Sequence, residues 1–133
     1  MIVVDASALA DALVDDGPMG DAARSELIAD PHWASPGHLL IEVMSVIRGK
    51  ALGRKLGAAR AQEAVDALQW LVIDEIPTAT LIERMWQLRA NVSTYDAAYV
   101  AAAEMTACPL VTGDARLANM GGLRCEVRLI GQR

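Results

Sequence analysis

Four residues near the start of the chain limit what it can fold into. Ile2, Val3 and Val4 are apolar, β-branched and unbroken, and they run directly into Asp5. A half-exposed strand alternates polar and apolar residues. A continuous apolar run predicts instead a strand buried on both faces, as in a parallel sheet. Asp5 then stands at the carboxyl end of a central strand, the edge at which open α/β sheets bind ligands. The same aspartate is equally suited to capping the helix that follows, because its carboxylate accepts a bond from a free helix N–H. Which role applies depends on whether other acids reach that edge.

The remaining pattern supplies more strands and the helices between them. Residues 7–14 read as a helix broken by Gly17-Pro18. Residues 21–29 read as a second helix, with Leu27 and Ile28 facing inward and Pro31 ending it. A short strand is expected at 32–35. Pro36, well placed in a first helical turn, then opens a helix running through 38–47. Residues 61–70 form an amphipathic helix with Val65 and Leu68 on one face, and 71–76 form a strand stopped by Pro77. Thr80 is expected to cap a helix over 81–90, and Ser93 one that reaches about Thr106. A strand over 108–112, a brief helix over 115–119 and an edge strand over 127–130 complete the chain. Strands alternating with helices predict an α/β fold: one domain over 1–133, with a mainly parallel central sheet of four to five strands flanked by helices.

Charge and composition narrow the function. A net charge of −5 excludes a protein that coats nucleic acid nonspecifically, since such binding rests on neutralising phosphates. Aromatic residues make up 4% with no Phe, which excludes a base-stacking platform. No apolar run reaches the roughly 18 residues needed to span a bilayer, and the start of the chain shows no secretory leader. A cytoplasmic protein is expected. Cys108 and Cys125 form no metal or redox spacing and are expected to be small buried residues. The run from Arg48 to Arg60 carries no acid and holds both lysines. It is either a solvated connector, its glycines ending one helix before another starts near Ala58, or a phosphate-contacting patch through Arg48, Lys50, Arg54 and Lys55.

The acids decide more. Asp114, like Asp5, directly follows an apolar strand, and Asp96 opens the helix that leads back to that strand. Glu42 lies among Leu39, Val43 and Val46 on one helix side, where a carboxylate costs free energy unless paired or able to reach water. Each has an ordinary explanation: Asp96 as a capping-box acid, Asp114 as a cap, Glu42 at a helix margin. Right-handed parallel topology nevertheless gathers post-strand residues on one edge. Clustered carboxylates need a cation, and all-oxygen ligands suit Mg²⁺ or Mn²⁺, which activate water and neutralise a phosphoryl oxygen.

In this order the motifs resemble the PIN-domain nucleases, in particular the VapC-like toxins of toxin–antitoxin modules. The resemblance rests on Val4-Asp5-Ala6-Ser7-Ala8-Leu9, on Glu42-Val43 followed by Arg48, on Tyr95-Asp96-Ala97-Ala98-Tyr99, and on Leu110-Val111-Thr112-Gly113-Asp114. It covers nearly the whole chain. It implies an acidic catalytic quartet at Asp5, Glu42, Asp96 and Asp114, steadied by the hydroxyls of Ser7 and Thr112. Asp5, Asp96 and Asp114 would hold Mg²⁺ or Mn²⁺. It further implies an endoribonuclease that dimerises and is silenced by a cognate antitoxin. Some relatives carry another acid just beyond the final motif; residues 115–119 offer none, which bears on a second metal. Three other readings are weaker. A phosphorelay receiver wants a lysine late in the chain, and none follows Lys55. A histidine-based ribonuclease using His32 and His38 lacks a partner motif. A degenerate PIN domain that only binds a partner would not need the intact quartet.

Overall fold

The computed structural model describes residues 1–131. β1 (Ile2–Val4) is buried throughout, and its register explains why. Val3 pairs with Ala34 of β2 (Trp33–Pro36) on one side and with Leu110 of β4 (Leu110–Thr112) on the other. β3 (Ile73–Ile76) and β5 (Val127–Leu129) complete a parallel five-stranded sheet in the order β3-β2-β1-β4-β5. The chain steps outward from β1 through β2 to β3, then crosses back to β4 and on to β5. The strand order therefore reverses between β1 and β4, which is where an open parallel sheet leaves a crevice at its carboxyl edge.

Helices cover the sheet. α1 (Ala6–Val14) and α2 (Pro18–Ala29) join β1 to β2; α3 (Leu39–Leu52) and α4 (Ala58–Leu68) join β2 to β3. A 3₁₀ turn (Thr78–Thr80), α5 (Ile82–Gln87) and α6 (Thr94–Thr106) lead to β4, and the short α7 (Ala115–Ala118) leads to β5. α6 lies against β1, β2 and β4. Its alanines at 97, 98 and 101–103 are all buried, so small side chains let this helix approach the sheet closely. Ser93 caps it as expected, accepting from the Asp96 amide at 3.2 Å.

Several local expectations are corrected. Leu27 is buried, but Ile28 is 76% exposed: one residue turns a helix by about 100°, so two neighbours cannot both face the core. Pro36 does not open a helix. It is the last residue of β2, where the ladder ends and its missing N–H leaves nothing unpaired. α2 starts at Pro18 rather than Asp21, so Gly17-Pro18 both separates and initiates. α3 continues through Gly49 to Leu52 before the turn into α4, which begins at Ala58 as expected. α4 ends at Leu68 and leaves Trp70 exposed. The Thr80 hydroxyl donates to the Pro77 carbonyl at 2.7 Å and does not cap α5. Cys108 and Cys125 are half-buried and unbridged. Among the described residues no helix is long and apolar enough to cross a membrane.

Candidate active site

Because β1 and β4 are neighbours, Asp5 lies beside the segment Thr112-Gly113-Asp114. Asp5 is the cap of α1 and stands at the carboxyl edge of β1. Its Oδ1 accepts from the Ala8 amide at 2.9 Å, capping α1, and from the Ser7 hydroxyl at 2.7 Å. Its Oδ2 accepts from the Thr112 hydroxyl. Each hydroxyl gives its one proton to Asp5 and accepts a backbone N–H in return: Gly113 to Ser7 Oγ at 2.8 Å, and Asp114 to Thr112 Oγ1 at 3.0 Å. Two strand ends are thus tied through one carboxylate that is 3% exposed. Burial pushes the Asp5 carboxyl up to about 6, against the three hydrogen bonds that favour its charged form. At Gly113 a Cβ would meet Asp11 Oδ2 at 3.0 Å and Ser7 Oγ at 3.3 Å, so a side chain there would press on both groups.

Glu42 sits in the first turn of α3 with its side chain one-third exposed. His38, one turn earlier, brings Nε2 to 3.0 Å from Oε1, and the Tyr99 hydroxyl donates to the same oxygen at 3.3 Å. Burial raises the Glu42 carboxyl above its ordinary value, partly offset by His38 and Tyr99 and reinforced by the charge of Asp96. Tyr99 is buried, its ring against that of His38 with centroids 4.5 Å apart. Its phenol is held far above its ordinary pKa, first by burial and then by the charges of Glu42, Asp5 and Asp96. Three of the four acids thus act on this one hydroxyl, and Glu42 is the one in hydrogen-bond contact with it.

Asp96, in the first turn of α6, is half-buried. Its backbone amide meets the cap, while its carboxylate makes no reciprocal bond to Ser93 among the described residues. Asp114 caps α7 and is enclosed by Arg116: the Arg116 amide donates to Oδ1 at 2.9 Å, Nε to Oδ1 at 3.2 Å and Nη2 to Oδ2 at 2.7 Å. Asp96 and Asp114 line one cleft of about 550 Å³ together with Ser93, Arg89 and Arg116. Among the described residues no three acid, imidazole or thiol side chains are grouped closely enough to hold a metal as they stand. Asp5 is turned to its hydroxyls and Asp114 to its arginine.

The basic run does not line this cleft. Arg48, Arg54 and Lys55 are exposed, Lys50 is half-buried near Asp11, and none of the four lines the cleft. His32 is exposed and pairs with Asp74 at 2.6 Å, away from His38. Four side chains of the site carry no strong sequence signal: Arg116, Arg89, His38 and Asp11. The i, i+4 spacing of His38 and Glu42 was available, but it is equally common on surface helices.

Comparison with known proteins identifies the family. The PIN domain family model matches residues 2–123. Ribonuclease VapC9 of Mycobacterium tuberculosis is 39% identical over 130 residues, covering 98% of each chain. Ribonuclease VapC1 of the same organism is 41% identical over 129 residues, covering 96% of each. Among solved structures, the Mycobacterium tuberculosis VapC20, a Sarcin-Ricin loop cleaving toxin, superposes with a TM-score of 0.63 at 22% identity, over 90% of this chain and 96% of that one. VapBC2 from Rickettsia felis, bound to a DNA fragment from its promoter, gives a TM-score of 0.63 at 15% identity, over 96% and 98%. The chain belongs to the PIN domain family and, within it, to the VapC ribonucleases.

Proposed function

We propose that this chain is an endoribonuclease, the toxin of a toxin–antitoxin pair, built as a single PIN domain over residues 1–133. The observation that carries the reading is Asp5: a buried carboxylate locked by two hydroxyls at the strand-order reversal, with the charge of Asp96 acting on it and Asp114 on the adjoining loop. Burying a carboxylate without a counter-charge is costly, and its raised pKa reports that cost.

The residues fit a hard divalent cation. Every candidate donor is a carboxylate oxygen, and Asp5 and Asp96 have no cationic side chain bound to them among the described residues. Asp5, Asp96 and Asp114 would hold Mg²⁺ or Mn²⁺. When bound, such an ion lowers the pKa of water and neutralises charge on a phosphoryl oxygen. Ser7 and Thr112 fix the direction of Asp5. Glu42, clamped by His38 and Tyr99, orients the attacking water and accepts its proton. Arg48, Lys50, Arg54 and Lys55 extend contact to the RNA strand beyond the cleft. The partners are RNA, a cognate antitoxin and a second copy of the chain. Exposed apolar side chains such as Ile41 (72%), Met44 (51%) and Trp86 (67%) support protein partners, and the site of action is the cytoplasm.

The test is cleavage of purified total cellular RNA with Mg²⁺ or Mn²⁺, against EDTA and against Asp5→Asn. Metal-dependent cutting that the variant lacks is expected. Equal cutting by wild type and Asp5→Asn would sink the assignment. A second reading, a PIN domain that only binds a partner, is favoured by one observation, the absence of a ready three-acid cage among the described residues. Failure to bind Mn²⁺ in a titration would select it.

A further inference from the structure

One acid of the quartet is already occupied by the chain itself. Arg116 covers Asp114 with two guanidinium nitrogens, and its backbone amide adds a third donor to the same carboxylate. Yet the Arg116 side chain is 81% exposed, and it stands with Arg89 on the wall of the cleft that contains Asp96. An ion pair this open to water adds little stability and exchanges readily. The guanidinium fork that matches a carboxylate also matches a phosphate.

We propose that Arg116 is a phosphate-binding residue of this nuclease, parked on Asp114 in the free protein and released to the RNA backbone when a divalent cation takes its place. The inference rests on the nuclease reading above. Charge balances at each stage. Asp114 passes from guanidinium to cation, and the guanidinium passes from Asp114 to phosphate, so neither is left unpaired in the cleft. The exchange also accounts for the missing cage among the described residues: the Asp114 carboxylate is taken up by its arginine. Arg89 is the second cation on the same wall, its position fixed by the Trp86 ring at 4.6 Å and the Trp86 carbonyl at 2.8 Å.

The exchange predicts that two affinities move in opposite directions. In Arg116→Ala, Mn²⁺ alone should bind several-fold tighter by calorimetric titration, because its competitor is gone. On a Glu42→Gln background, which prevents cutting but keeps the three ligand carboxylates, and with Mn²⁺ present, the same change should weaken binding of a fluorescein-labelled mixed-sequence RNA about tenfold. It should also lower the salt slope of that binding by about 0.7. Arg116→Lys, which keeps charge without the fork, should fall between. Arg128→Ala makes the same charge change on β5 and should move neither affinity. Weaker binding of both Mn²⁺ and RNA would mean that Arg116 merely holds the loop, and no change would mean a surface pair only. Equal effects from Arg128→Ala would reduce the result to net charge. Each of these three outcomes overturns the proposal. Metal-dependent cutting by wild type, measured alongside, keeps the nuclease reading separate from it.

Discussion

Asp5 is the residue whose chemistry and stability conflict. Its folded pKa of about 6 exceeds the ordinary 3.8, so the folded state binds a proton more tightly than the unfolded chain. Stability from this group is therefore complete below about 3.8 and is lost as pH rises through about 6. Above that the ionised form costs roughly 3 kcal/mol. Asp5→Asn removes the charge and keeps an oxygen for Ala8 and Ser7. It should stabilise the protein by about 1–2 kcal/mol at pH 7.5, with the gain vanishing near pH 4, while abolishing cleavage. Urea unfolding at the two pH values checks this, and a variant destabilised at both would refute the charge argument. Thr112→Val, by contrast, strips a partner from a buried carboxylate oxygen. It should destabilise by about 1–3 kcal/mol at pH 7.5 and reduce cleavage as well. The positions of Asp5 and Asp114 were legible because each follows an apolar strand, and both are helix caps. Arg116 and His38 were not legible in that way, because their pairing is a matter of side-chain direction that residue order does not encode.

At the level of elements, α6 and its neighbours show what periodicity does and does not reveal. The alanine run was legible as a thin helix. Ala102 is fully buried, so Ala102→Leu should overpack the contact with the sheet and cost about 1–3 kcal/mol by thermal or urea unfolding. An unchanged midpoint would contradict the close approach. The tie between α5 and α6 was not legible, because Arg84 and Glu104 are twenty residues apart. Arg84 Nε donates to Glu104 Oε1 at 2.6 Å and Nη2 to Oε2 at 3.1 Å, with the Arg124 amide at 2.8 Å on Oε2. Burial works to raise Glu104, but Arg84 and the Arg124 amide outweigh it and hold the carboxyl below its ordinary value. That stability is present above the ordinary glutamate pKa and is lost as pH falls through the depressed folded value. Glu104→Gln should therefore lower stability at pH 7 by about 1–3 kcal/mol and flatten the acid limb of the stability–pH curve. A variant whose acid limb matches wild type would show that other carboxylates carry it. Pro36 and Thr80 misled for a shared reason: both residue types suit helix starts, but strand pairing and a local 3₁₀ turn claimed them first.

For the molecule as a whole, the parallel α/β architecture followed from alternating element types, whereas the strand order, which makes β1 and β4 neighbours, did not. Order depends on which crossover returns past β1, and alternation of element types does not encode that choice. That order concentrates negative charge at one edge of a chain already at −5. In the folded protein the charge of Asp96 works against ionised Asp5 and Glu42, a repulsion that the unfolded chain disperses. A divalent cation that binds only the folded cluster must stabilise the whole domain by linkage. At a hundredfold excess over its dissociation constant it contributes about 2.7 kcal/mol. For a chain of this length that is a rise in Tm of roughly 5–10 °C. The rise should appear with Mn²⁺ at pH 7.5, reverse with EDTA, and shrink at pH 5, where Asp5 holds its proton. It should be absent from Asp5→Asn at any pH. Sodium chloride at matched ionic strength separates site binding from screening, because screening relieves repulsion without needing Asp5. Equal shifts from Mn²⁺ and sodium chloride, or an undiminished shift in Asp5→Asn, would mean that the edge is acidic without being a cation site.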